Sequence, residues 1–216
     1  MNILLLDSGL GLIPFVKEII KCNKKNTYYL YMDNEFFPYG SKTRHQLKRR
    51  LQFLIRKFNK LDLDEIYICC NTLSKIYLDY KFKSKVKIKT ILELNLKHLN
   101  NKKIIVTPLL KKLFKNDDRF IKTNLALYIE RNDIRNIIDE IKSLSLSGKV
   151  ILGCTHYPLI KNIIKHYANA DILSYENEFI SKLKQDETLT FKVRCYEKEI
   201  LEKYFNDLNI SLYELA

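Results

Sequence analysis

The chain has 216 residues, 46% of them hydrophobic and 29% charged, the composition of a folded globular protein and not of a disordered one. No apolar run approaches the roughly 20 residues that cross a bilayer, and Met1–Asp7 lacks the basic region of a signal peptide, so the chain is read as cytoplasmic with no membrane partner. The formal charge of +13 comes from lysines scattered over nearly every element, which argues against a nucleic-acid site, although a positive field suits a small dicarboxylate.

Short β-rich runs alternate with longer segments of helical period, which predicts an α/β architecture. A strand at Ile3–Leu6 is followed by a Gly-containing turn and a helix at Leu12–Cys22. A strand at Tyr28–Met32 precedes the longest helix, Thr43–Lys60, with Leu47, Leu51, Leu54, Ile55 and Phe58 on one face. Strand Glu65–Cys69 leads into helix Thr72–Phe82, and strands Lys87–Ile91 and Lys103–Val106 come next. Helix Asp133–Leu144, strand Lys149–Leu152, helix Leu159–Tyr167 and strand Asp171–Leu173 follow, with helices Glu176–Lys184 and Glu197–Asn206 last. Glycine and proline are scarce, and nearly all fall at strand C-terminal ends: Gly9, Gly11, Pro38, Gly40, Pro108, Gly153 and Pro158. Open α/β sheets bind ligands at that edge.

Five cysteines, Cys22, Cys69, Cys70, Cys154 and Cys195, contain no CxxC pair, so no zinc site is expected. Two of them sit in a weak internal repeat. Ile66–Thr72 and Val150–His156 are each an apolar strand ending at a cysteine and followed by polar residues, with Cys70 and Cys154 standing 84 positions apart. This plan predicts two similar lobes, each a mostly parallel sheet flanked by helices, with the site in the cleft between them. Taken singly, either cysteine reads as a small apolar residue in a sheet core, as Cys69 does. At a strand end and helix start, however, a thiol meets unpaired N–H groups and the positive end of the helix dipole, which lower its pKa. Thr72 and Thr155 are the expected caps beside them. A thiolate and a thiol on opposite faces of a substrate suit inversion of a stereocentre, one removing the Cα proton and the other delivering a proton. Neither a metal nor an organic cofactor is needed for that chemistry.

These residues resemble the glutamate racemases of the aspartate/glutamate racemase superfamily. Asp7-Ser8-Gly9-Leu10-Gly11 is similar to the family's first motif, Pro38-Tyr39-Gly40 to its second, Cys70-Asn71-Thr72 to its third, and Gly153-Cys154-Thr155-His156-Tyr157-Pro158-Leu159 to its fourth. The resemblance implies that Cys70 and Cys154 are the paired base and acid, with Asp7, His156 and Glu130 as assisting ionisable groups. It implies that Asp7, Ser8, Tyr39, Gly40, Asn71, Thr72, Thr107, Thr155 and His156 hold the substrate. It further implies a first lobe of residues 1–93 and 175–216, a second of residues 94–174, a homodimer, and D-glutamate supply for peptidoglycan. The sequence departs from the family pattern at Leu12, where a glycine is usual, at Lys89–Leu94, and at Pro108 after Thr107; the chain is also short for the family. The same scaffold admits a racemase for aspartate or a related substrate, or a non-catalytic binding protein.

Overall fold

The computed structural model describes residues 1–80, 82–184, 186–194 and 210–212. Ten strands occur among them: β1 (Asn2–Asp7), β2 (Thr27–Met32), β3 (Glu65–Ile68), β4 (Lys87–Thr90), β5 (Lys103–Val106), β6 (Phe120–Lys122), β7 (Ser147–Leu152), β8 (Asn169–Leu173), β9 (Thr190–Arg194) and β10 (Ile210–Leu212). The helices are α1 (Ile13–Lys21), α2 (Arg44–Phe58), α3 (Asn71–Asp79), α4 (Ile91–Lys97), α5 (Pro108–Leu113), α6 (Leu125–Glu130), α7 (Ile134–Ser143), α8 (Lys161–Tyr167) and α9 (Glu176–Ser181). The strands make two sheets in which every pairing is parallel. The order is β10-β9-β2-β1-β3-β4 in one and β6-β5-β7-β8 in the other.

Strand alternation explains the burial. Ile3 and Leu5 enter the apolar cluster on one face of the first sheet, whereas Leu4 and Leu6 enter the cluster on its other face. Helices cover both faces, so these strands read as continuous apolar runs instead of alternating ones. The α2 stripe is buried as its period predicts: Leu47, Leu51, Leu54, Ile55 and Phe58 all face the core. Thr43 caps that helix by accepting from the Gln46 N–H, and Gln46 reaches back to the Thr43 N–H.

Four consecutive strands of the first sheet, β2-β1-β3-β4, have the same order as the whole second sheet, β6-β5-β7-β8. The equivalence extends to single hydrogen bonds. Cys69 N–H donates to Leu6 carbonyl and Gly153 N–H to Ile105 carbonyl, both at 2.9 Å, just before the two cysteines of the repeat. Asp33 N–H donates to Asp7 carbonyl and Thr123 N–H to Val106 carbonyl, both at 2.8 Å. In each sheet the strand order reverses beside the first strand, and the crevice at that reversal opens at the strand C-terminal ends.

All seven predicted strands form, with ends shifted by up to two residues. Strands β6, β9 and β10 and helices α4, α5 and α6 were not anticipated, because they are short and carry no decisive period. The strand expected to reach Ile91 stops at Thr90, whose hydroxyl caps α4. The helix expected from Leu159 begins as a 3-10 turn over Tyr157–Ile160. The helix expected at Glu197–Asn206 lies outside the described residues.

Gly153 packs so tightly on β5 that an added Cβ would lie 2.7 Å from the Ile105 carbonyl oxygen and 2.6 Å from Ile104 Cγ1. A backbone oxygen inside a sheet cannot retreat. Gly153→Ala is therefore expected to cost roughly 1–3 kcal/mol, read from the urea midpoint against the parent; an unchanged midpoint would contradict this packing.

Candidate active site

The two crevices meet. Cys70 ends the β3 run as the N-cap of α3, and Cys154 lies two residues beyond the end of β7. Each is 7% exposed, whereas Cys69 is fully buried in the cluster on the other face of the sheet. That parity decides which cysteine of the Cys69-Cys70 pair reaches solvent. Both Cys70 and Cys154 line one cavity of about 230 Å³. Ser8, Tyr39, Gly40, Asn71, Thr72, Thr107, Thr155 and His156 line it too. Asp7 and Glu130 do not; they stand behind its wall.

Asp7, at the end of β1, is fully buried. One carboxylate oxygen accepts from the Gly9 N–H at 3.2 Å and the Ser8 hydroxyl at 3.4 Å, and the other from the Thr155 hydroxyl at 2.9 Å. Burial raises its pKa, while His156, Thr155 and the Gly9 and Ser8 N–H groups hold the rise back. Glu130 Oε1 is 2.6 Å from His156 Nε2 and also accepts from the Leu10 N–H at 3.2 Å. The other ring nitrogen, Nδ1, is 3.7 Å from Cys154 Sγ. Burial alone would lower the His156 imidazole, but its bonds to Cys154 and Glu130 and the negative charges of Cys154 and Asp7 raise it well above the ordinary value. His156 thus connects a carboxylate at the wall to a thiol in the cavity.

Three sequence expectations need correction. Thr72 and Thr155 cap no helix: the Thr72 hydroxyl is 2.9 Å from that of Thr107, and the Thr155 hydroxyl goes to Asp7. Cys154 is not at an α-helix start, since a 3-10 turn separates it from α8. The Cys70 thiol is not lowered by its helix. Burial pushes it well above the usual value, the charges of Asp7 and Cys154 add to the push, and the Leu73 and Thr72 N–H groups only partly oppose it.

The departures from the family pattern find places. Leu12 is buried core in a 3-10 turn. Pro108 opens α5, where no N–H is needed, and Thr107 caps that helix by accepting from the Leu110 N–H. Gly11 is required by close approach, because its added Cβ would lie on the Thr155 hydroxyl and 2.6 Å from Asp7 Oδ1.

The Tyr39 hydroxyl is not free for a ligand; it donates to Asp33 at 2.6 Å, and burial together with Asp33 raises its pKa far above normal. Asp33 is buried and held by the Arg50 guanidinium, which also reaches Glu35 at 3.1 Å. This cluster anchors the Pro38-Tyr39-Gly40 loop to α2. Phe37 from the same loop packs against His156, ring centroids 5.9 Å apart, and Gly40 abuts Thr107. Sequence reasoning missed Asp33 and Arg50, and also the lining residues Phe37, Thr123, Asn124 and Leu127. The last three follow β6, the strand too short to read, so no local signal marked them.

Two parallel α/β sheets whose strand-order reversals share a cavity with one thiol each define a class of two-lobed proteins. No family model matches the chain. A glutamate racemase of Fusobacterium nucleatum is 30% identical over 85% of this chain and 79% of its own length. The crystal structure of a glutamate racemase isoform of Bacillus anthracis superposes with a TM-score of 0.77 at 19% identity, covering 99% of this chain and 97% of that one. That of a Francisella tularensis glutamate racemase in complex with D-glutamate gives 0.73 at 16% identity, with the same coverages. The chain belongs to the glutamate racemase family.

Arg50→Met leaves Asp33 buried without its cation and is expected to destabilise the fold by about 3 kcal/mol, with partial recovery in Arg50→Lys; equal urea midpoints for parent and Arg50→Met would refute the anchor. Because the Cys70 pKa is raised, its thiolate should form only above pH 9.0. Thiolate ultraviolet absorbance of the parent minus that of Cys70→Ser should therefore show its step above that pH, and a step below it would overturn the assignment.

Proposed function

We propose that the chain interconverts L- and D-glutamate by proton transfer at Cα between Cys70 and Cys154. The observation that carries this reading is that two equally exposed thiols, at equivalent strand ends of two like-ordered sheets, line one cavity. A binding protein has no need of such a pair. Removing the Cα proton of an amino acid places negative charge on its carboxylate, and donors fixed beforehand stabilise that charge. Here those donors are the Asn71 amide NH2, whose oxygen is already taken by Asn95, and the one hydroxyl of the Thr72–Thr107 pair that does not donate to the other. The Ser8 and Thr155 hydroxyls give their protons to Asp7.

The two thiols take different helpers. His156 Nδ1 exchanges a proton with Cys154 Sγ, and Glu130 holds the ring in place through Nε2. Cys70 enters the cycle as a protonated thiol in the cavity wall beside Asp7. Proton removal from one face and delivery to the other then follow in either direction, with the two cysteines exchanging roles. In this reading residues 1–93 with 175–216 form one lobe and residues 94–174 the other. The protein works in the cytoplasm as a homodimer and supplies D-glutamate for peptidoglycan.

The test is exchange of the Cα proton with deuterated solvent for each enantiomer of glutamate and of aspartate. Mirror-image products have an equilibrium constant of one, so kcat/KM is equal in both directions for every variant, and racemisation rates alone cannot tell the thiols apart. Exchange can. The parent should exchange both enantiomers of glutamate, and Cys70→Ser and Cys154→Ser should each lose racemisation while retaining exchange of at most one enantiomer. No exchange in the parent would sink the proposal, and faster exchange with aspartate would move it to another substrate.

A further inference from the structure

The cavity that receives the proposed anionic substrate has neither lysine nor arginine in its wall. A separate groove of about 760 Å³ adjoins it, and Gly40, Ser41 and Pro108 line both. Five cations line that groove, Lys42, Arg44, Lys75, Lys112 and Lys115, against the single carboxylate of Asp79. Asp79 is shared by Arg44, at 3.1 Å, and Lys75. Among the described residues, no carboxylate lies within ion-pair distance of Lys42, Lys112 or Lys115. The groove therefore carries a net charge of about +4 at neutral pH, concentrated where the two sheets' loops form the rim of the cavity. Charges of one sign lining a concave surface focus the field and raise the local concentration of an oppositely charged ligand.

We propose that this groove is the anion-capturing vestibule of the active site. It draws a small dicarboxylate to the rim by charge, and the uncharged donors of the cavity then hold it in the reacting position. This division has a physical rationale. A lysine inside the cavity would pair with the substrate carboxylate, but it would also place a mobile cation beside two thiols whose protonation must alternate. At the rim, within roughly a Debye length of about 8–10 Å, a cation attracts the substrate without entering the reaction. The inference rests on the racemase reading for its substrate, and its test separates the two.

The test compares the parent with a triple variant, Lys42→Gln, Lys112→Gln and Lys115→Gln. A control removes three exposed lysines elsewhere, Lys60→Gln, Lys149→Gln and Lys165→Gln, so that both variants fall from +13 to +10. Glutamate racemisation is measured across ionic strength. Binding of glutarate, a dicarboxylate with no amino group to react, is followed by calorimetry over the same range. At low salt the vestibule variant should lose roughly tenfold in kcat/KM and in glutarate affinity with kcat unchanged, and its salt dependence should flatten. The control should behave as the parent does. Equal losses in the two variants would assign the attraction to diffuse net charge and overturn the proposal, as would no loss in either, or no glutarate binding by the parent. If the parent binds glutarate with this salt dependence but racemises nothing, the vestibule stands and the racemase reading fails.

Discussion

The buried carboxylate of Asp7 decides where the two sheets meet. A carboxylate sealed from water is costly unless its lone pairs are filled. Two donors come from its own turn, and the third is the Thr155 hydroxyl from the other sheet. That third bond forms only because Gly11 has no Cβ in the space Thr155 occupies. A few residues away, Glu130 makes the reverse connection, reaching from α6 to the Leu10 N–H, and Gly9 is the residue that leaves it room. The two bonds pin the β1–α1 turn between the sheets, and the cavity is the space left beside it.

The backbone around that cavity is close to symmetric and the side chains are not. Strand order and the last hydrogen bonds of the ladders match in the two halves, which is why two cysteines arrive at like depth. Their surroundings then diverge. Cys70 has a helix start and a buried carboxylate; Cys154 has an imidazole backed by Glu130. A reversible proton transfer requires equivalent reach on both faces of the substrate, which the backbone supplies. It does not require identical helpers.

The Pro38-Tyr39-Gly40 loop is placed by groups that never touch the cavity. Arg50, one turn and a half into α2, holds Asp33, and Asp33 holds the Tyr39 hydroxyl. The loop in turn sets Phe37 against His156 and Gly40 against Thr107, so a salt bridge on the outer helix reaches both walls of the site. The cavity without lysine or arginine and its basic rim divide the work between this loop and α5, since the two bound both spaces.

Much of this was legible in the chain itself. Alternating strand and helix periods determined the α/β class, and repeated strand–cysteine segments determined that the fold has two like halves. The same apolar parity that makes Cys69 core makes Cys70 the cavity residue. These are local properties, set by period and by neighbours in sequence. What only the tertiary structure decided is everything that depends on which distant groups become neighbours. Thr72 and Thr155 look like caps by sequence, yet they meet Thr107 and Asp7 across the cleft. Cys70 looks like a thiol lowered by its helix, yet burial and the nearby Asp7 charge outweigh two N–H groups. Desolvation is a property of the whole fold, and no window of residues carries it.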